Sequence, residues 1–138
     1  MKVLIDTNVA LDILLHRADY TNAAYVFSFT KQNAIESYIS VSAITDIFYI
    51  SHKELGKKNA KEALKNLLQV FKPATVTDSH IFQALDLHWE DFEDSVQYVV
   101  GENFPVDYII TRNVNDYTSG SINAVTPEQF IQVIAKDA

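Results

Sequence analysis

Four aspartates carry the clearest chemical signal in this sequence: Asp6, Asp46, Asp94 and Asp116 each follow a short apolar run or open a helical pattern beside one. Val3, Leu4 and Ile5 lead into Asp6-Thr7-Asn8, a carboxylate followed by two polar groups. Asp46 stands among apolar neighbours, Ile44, Ile47, Phe48 and Ile50, although Asp has poor helix propensity. Asp94 closes the dense run Glu90, Asp91, Glu93, Asp94, and Asp116 lies in the polar turn of DYIITRNVNDY, after Asn113. Four carboxylates gathered in one low-dielectric crevice repel one another and raise each other's pKa unless a cation sits among them. The chain has no Cys, and these motifs contain no His. The donors are therefore oxygens only, which select Mg2+ or Mn2+ over Zn2+ or Cu2+. Such ions activate water and neutralise charge building on a phosphoryl group.

Each acid also has a local explanation. Asp6 suits the N-cap of a helix opening near Thr7, and Asp91 suits that of a helix carrying Glu93 and Asp94 in its first turn. Ser42 is an N-cap candidate for a third helix, with Asp46 one turn in, where it complements the same dipole. Asn113 and Asp116 are ordinary turn formers. The common placement of the four acids, rather than any one of them, points past capping.

The elements that must hold these residues are legible as alternating patterns. Short β-rich runs over 3–5, 37–41 and 107–111 read as buried strands, with weaker candidates over 74–76 and 122–125. Between them Tyr20, Ala23, Ala24 and Phe27 share one helical face, and Ala60, Ala63, Leu64, Leu67, Leu68 and Phe71 form a longer stripe. The opposite side of that stripe carries Lys57, Lys61 and Lys65. Further helices are expected over 43–53, 79–87, 92–102 and 128–136. Strands separated by helices imply right-handed crossovers and an α/β fold: a central parallel sheet of four to five strands with helices on both faces. Ligands of such sheets bind beyond the carboxyl ends of the strands, where these acids fall. Gly56, Gly101 and Gly120 are isolated, so no phosphate-cradling glycine loop is present.

With 138 residues, 48% hydrophobic, three Gly and three Pro, the composition is that of one globular domain over 1–138. The absence of Cys excludes disulfide scaffolds, thiolate metal sites and cysteine nucleophiles. The first apolar run ends at Asp6, too early for a signal peptide, and no segment approaches 18 uninterrupted apolar residues. No membrane association and a cytoplasmic location are expected. The net charge of −7 argues against nucleic-acid binding through overall positive charge. The charges are segregated, however: Lys53, Lys57, Lys58, Lys61, Lys65 and Lys72 lie close in sequence, as do Asp86, Glu90, Asp91, Glu93 and Asp94. The four His are scattered without metal spacing and read as surface or partly buried side chains. Phe27, Phe48 and Phe71 read as core, and Tyr117, beside Asp116, is the one aromatic kept as a substrate contact.

Taken together, these motifs resemble the PIN-domain ribonucleases, the group that includes the VapC-like toxins of bacterial toxin–antitoxin pairs. LIDTN at 4–8, SAITDIFYI at 42–50, DFEDSVQY at 91–98, DYIITRNVNDY at 107–117 and VTPEQFI at 125–131 resemble the family's successive motifs. The resemblance implies that Asp6, Asp46, Asp94 and Asp116 are the catalytic carboxylates and bind Mg2+ or Mn2+, supported by Thr7, Asn8, Asp91 and Asn113. It departs from the family at Asp46, where Glu is commoner and one methylene longer. The implied reaction is metal-assisted hydrolysis of an RNA phosphodiester without a covalent enzyme intermediate. The implied partners are an RNA substrate, an antitoxin protein and a second copy of the chain. Arg112 is a candidate phosphate contact, and the Lys57, Lys61, Lys65 stripe is a candidate RNA surface whose bland reading is a solvated helix face.

Two other readings compete. A catalytically weak PIN-fold protein would bind RNA or a partner without cleavage, and the Asp46 departure keeps that open. A phosphatase of the haloacid-dehalogenase type wants an Asp two residues after its nucleophilic Asp, whereas Asn8 stands there.

Overall fold

Strand β1 (Lys2–Ile5) alternates its contacts as a strand covered on both faces should: Val3 and Ile5 join one hydrophobic cluster and Leu4 the other. The computed structural model describes residues 1–137; Ala138, the last residue of the expected 1–138 domain, lies outside the described residues. After β1 come α1 (Thr7–Leu15), α2 (Tyr20–Lys31), β2 (Glu36–Ser40), α3 (Val41–Leu55), α4 (Lys57–Val70) and β3 (Lys72–Ala74). The chain continues through α5 (Asp78–Asp86), α6 (Phe92–Asn103), β4 (Tyr108–Ile110), a short 3-10 turn (Val114–Tyr117), β5 (Asn123–Val125) and α7 (Pro127–Asp137).

All strand pairs are parallel and the sheet order is β3-β2-β1-β4-β5. The chain thus builds outward from β1 through β2 to β3, returns, and builds the other way through β4 to β5. The reversal leaves a crevice between the carboxyl ends of β1 and β4, the topological switch point at which open α/β sheets bind ligands. Ile5 is paired with Ile110, and the Asp6 amide continues the ladder by donating to the Ile110 carbonyl at 2.9 Å. Two clusters of buried residues cover the sheet. One packs Val9, Val26, Ile47, Leu67 and Phe130 against Val3 and Ile5; the other packs Ala84, Val96, Val100 and Tyr117 against Leu4 and Ile109. The α/β fold with a parallel sheet and helices on both faces is therefore as the sequence implies, with five strands.

The differences lie at boundaries. β2 ends at Ser40 and Val41 is already helical, so Ser40, not Ser42, takes the N-cap position, with the two hydroxyls 3.0 Å apart. β3 falls over 72–74 rather than 74–76, because Tyr38, Ile39 and Ser40 pair with Lys72, Pro73 and Ala74. Pro73 is tolerated there because β3 is an edge strand. Of the expected α2 face of Tyr20, Ala23, Ala24 and Phe27, Ala23 is buried and Phe27 packs against the core edge-on to Phe71, while Val26 and Thr30 complete the buried side. The Thr30 hydroxyl is satisfied there by the Val26 carbonyl and Ser37. Among the described residues no helix is long and apolar enough to cross a membrane.

Candidate functional site

Asp6 follows the last residue of β1 and occupies the N-cap position of α1, yet its side chain makes no capping bond. The carboxylate is committed elsewhere. Its Oδ1 accepts from Gln97 Nε2 at 3.0 Å, and its Oδ2 accepts from the Thr111 hydroxyl at 2.7 Å and the Tyr117 hydroxyl at 3.2 Å. A fourth donor, Asn8 Nδ2, lies 3.5 Å from Oδ2. Asp6 is only 5% exposed, and a buried carboxylate is tolerated when donors surround it. Capping, the local explanation for Asp6, is thus not what its side chain does.

Helix α6 delivers the second group of acids. Asp91 is its N-cap, with Oδ1 accepting from the Asp94 amide at 3.1 Å, so here capping is the role played. Two residues inside that cap, Glu93 Oε1 accepts from the Thr7 hydroxyl at 3.1 Å, joining the first turns of α1 and α6. Burial, Asp46 and Asp6 raise the Glu93 carboxyl, against the lowering effect of the Thr7 bond. Asp94 is raised to about 7 by burial and by the charges of Asp6, Asp91 and Asp116. Tyr117 stands between the two groups, its hydroxyl 3.2 Å from Asp6 and 3.3 Å from Asp94 Oδ1. A phenol has one proton and cannot donate fully to both. A protonated Asp94 donating to the phenol oxygen, with the phenol donating to Asp6, satisfies all three groups, in keeping with the raised Asp94.

The structure therefore brings Asp6 and Asp94 together and sets Asp116 and Asp91 close enough to perturb Asp94. Asp46 is more distant: exposed on α3 beyond its first turn, it meets the group through Glu93. Thr7 and Asn8 contact the acids directly, and Asn8 Oδ1 also accepts from the Arg112 amide at 3.2 Å, tying α1 to the end of β4. Asn113 contributes its backbone, donating to the Thr111 hydroxyl at 3.0 Å and accepting from the Asp116 amide. Tyr117 is 1% exposed and packs in the core, which corrects its reading as a substrate contact.

The cations separate from the acids. Arg112 Nε lies 3.2 Å from Asp12 Oδ2, and Asp12 is fully buried on α1 with both oxygens otherwise lacking a partner. Burial raises Asp12 and the Arg112 charge opposes it. Lys57, Lys61 and Lys65 are exposed along α4 and form no ion pair among the described residues. Sequence reasoning gave no site role to Gln97 or Thr111 and left Glu93 as a first-turn acid. Gln97 stands three residues after Asp94 on the same helical face, and Thr111 directly follows β4, level with Asp6; both spacings were available as signals of position.

Carboxylate oxygens with hydroxyl and amide support fit a hard divalent cation by their chemistry, and mutual repulsion between Asp94 and its neighbours is what such a cation relieves. As arranged, no three His, Asp or Glu side chains among the described residues already enclose a position for one. Outward from Asp94 the crevice widens into an open cleft of about 890 Å3 bordered by Trp89, Glu90, Asp91, Asn115 and Asp116.

A sequence model of the PIN domain matches residues 2–115. No curated protein matches the chain. Among solved structures, the chain is similar to VapBC2 from Rickettsia felis, bound to a promoter DNA fragment, with TM-score 0.70, 15% identity, and 91% of this chain and 98% of that one covered. It is similar to a toxin–antitoxin complex from Klebsiella pneumoniae with TM-score 0.67, 20% identity, and coverage of 91% and 97%. It is also similar to Mycobacterium tuberculosis VapC20, described as a sarcin-ricin loop cleaving toxin, with TM-score 0.68, 13% identity, and coverage of 86% and 95%.

Proposed function

The chain belongs to the PIN domain family, and from its site we propose that it is a Mg2+- or Mn2+-dependent endoribonuclease, the toxin of a toxin–antitoxin pair. The observation that carries this reading is the convergence of Asp6, Glu93 and Asp94 at the β1/β4 switch point, with two of the three carboxyls held above their usual range. A cation held by Asp6 and Asp94, with Glu93, Asp46 and Asp116 reaching it directly or through water, would supply water activation and charge neutralisation at phosphorus. This chain's residues do the rest. Gln97 and Thr111 fix the Asp6 carboxylate, Thr7 orients Glu93, and the Asp91 cap fixes the first turn from which Asp94 projects. Arg112, anchored by Asp12 and 39% exposed, is placed after β4 to meet a phosphate. The Lys57, Lys61, Lys65 stripe supplies a positive face for the rest of the RNA backbone. The antitoxin and a second copy of the chain are the protein partners of this reading, and the cytoplasm its compartment.

The test is cleavage of a structured RNA pool with Mg2+, Mn2+ or a chelator. Cleavage should require the metal and vanish in Asp94→Asn; cleavage persisting in that variant would contradict the assignment. A second reading, binding without cleavage, draws on Asp46, which is exposed on α3 and meets the Asp6 and Asp94 group through Glu93. It predicts RNA retention by wild type and Asp94→Asn alike, with no metal-dependent products.

A further inference from the structure

The cleft beside Asp94 carries features the carboxylates do not need. His88 takes a left-handed backbone conformation, φ 56°, where the chain leaves α5, and the turn delivers Trp89 to the cleft wall. The Trp89 ring is braced from behind: its centroid lies 4.8 Å from that of Tyr98 and 6.2 Å from that of Tyr117, the latter edge-on. Tyr98 is itself locked by the Ser121 amide, which donates to its hydroxyl at 2.8 Å, and by Gly120, where an added Cβ would collide with the Tyr98 ring. The result is a rigid aromatic platform at the rim of a cleft of about 890 Å3 that shares Asp94 and Asp116 with the acidic site. Around the platform stand Glu90, Asn115 and Ser119. Carboxylate and amide oxygens are acceptors, and a neutral planar ring bearing amino hydrogens is the ligand that uses platform and acceptors together. A phosphate would be repelled by the same acids.

We infer that this cleft is a nucleobase subsite, in which Trp89 stacks a base flanking the scissile phosphate, while Glu90 and Asn115 accept from its amino group and so favour guanine, adenine or cytosine over uracil. The inference rests on the ribonuclease reading for its biological use, but its test does not. Trp89 is the only tryptophan, so its indole N–H gives one resonance in a proton–nitrogen NMR spectrum of the intact protein. Neutral nucleosides, guanosine, adenosine, cytidine and uridine, should be titrated without metal, with N-acetylarginine amide as a separate arm. The amino-bearing nucleosides should shift the indole and the Asn115 amide with affinities about tenfold above that of uridine, the discrimination expected of one base-edge contact. Glu90→Gln should erase most of that preference. Trp89→Leu should weaken binding about tenfold by the Asn115 signal, and Trp89→Phe, which keeps an aromatic ring against Tyr98, should weaken it less. An indole unmoved by all four nucleosides, or moved equally by uridine, overturns the inference. An indole moved by the arginine amide alone overturns it in favour of a cationic peptide. Mn2+ binding measured on the same sample reports separately on the metal reading.

Discussion

One phenol hydroxyl stands between Asp6 and Asp94, and much of the site's behaviour follows from that arrangement. Tyr117→Phe removes the one hydroxyl that bridges two carboxyl groups, leaving buried Asp6 one donor short and partly buried Asp94 without its partner, and should cost about 1–3 kcal/mol of stability in chemical denaturation. Asp94 should respond in the opposite sense. Its carboxyl is held at about 7 in the fold against an ordinary 3.8, so the folded state binds its proton more tightly than the unfolded chain does. The stability this group contributes is full below about pH 4 and is lost as pH rises through about 7. Metal-free Asp94→Asn should therefore melt higher than wild type at pH 8, while losing the stabilisation that Mn2+ confers. For the same reason, wild-type Mn2+ affinity should fall by about tenfold per pH unit below about 7, since the ligand must first shed its proton. At this scale the sequence was partly legible. Asp6 and Asp94 could be picked out because they follow strands or open helices. Spacing puts Gln97 and Thr111 level with those acids, but it does not give their roles or that of Tyr117, because an amide, a hydroxyl and a phenol look the same in a sequence whether they face a carboxylate or the core.

Elements place these residues through two joints. The first is α1 to β4, made by Asn8 to the Arg112 amide and by the Arg112 to Asp12 ion pair. Asp12 is fully buried, and Arg112 is its ion-pair partner, with Arg17 a weaker positive influence; removing Arg112 leaves that carboxylate without a paired charge in the core. Arg112→Leu should destabilise by about 3–5 kcal/mol, whereas Asp12→Asn, which removes the charge, should cost far less; thermal melts of the two variants and the double mutant check this. The second joint is α6 against the loop after the 3-10 turn, where Gly120 admits the Tyr98 ring. Gly120→Ala should cost about 1–3 kcal/mol through overpacking and loosen the support behind Trp89. Helices α5, α6 and α7 were readable to within one residue from their caps and periodicity, whereas β3 was misplaced by two. A three-residue edge strand has too few side chains to show a period, and its register is set by pairing with β2 rather than by its own residues.

At the scale of the whole molecule, the fold separates charge. Acids gather at the β1/β4 switch point and along its cleft, while Lys57, Lys61 and Lys65 line the far side of α4 from its apolar stripe. If the stripe meets the RNA backbone, replacing all three Lys by Gln should reduce the salt slope of RNA binding by about 2, leaving the fold's stability within about 0.5 kcal/mol. Alternating strands and helices revealed the α/β class, but the sheet order that creates the crevice depends on which way each crossover turns back, and no single segment encodes that. The central claim is that the crevice's carboxylates form a functional cation site, and calorimetric titration of Mn2+ into wild type and Asp6→Asn tests it most directly, with thermal unfolding of the same samples. The account predicts saturable binding and metal-dependent stabilisation in the wild type, both lost in Asp6→Asn. Absence of binding to either protein, or equal binding to both, would contradict it.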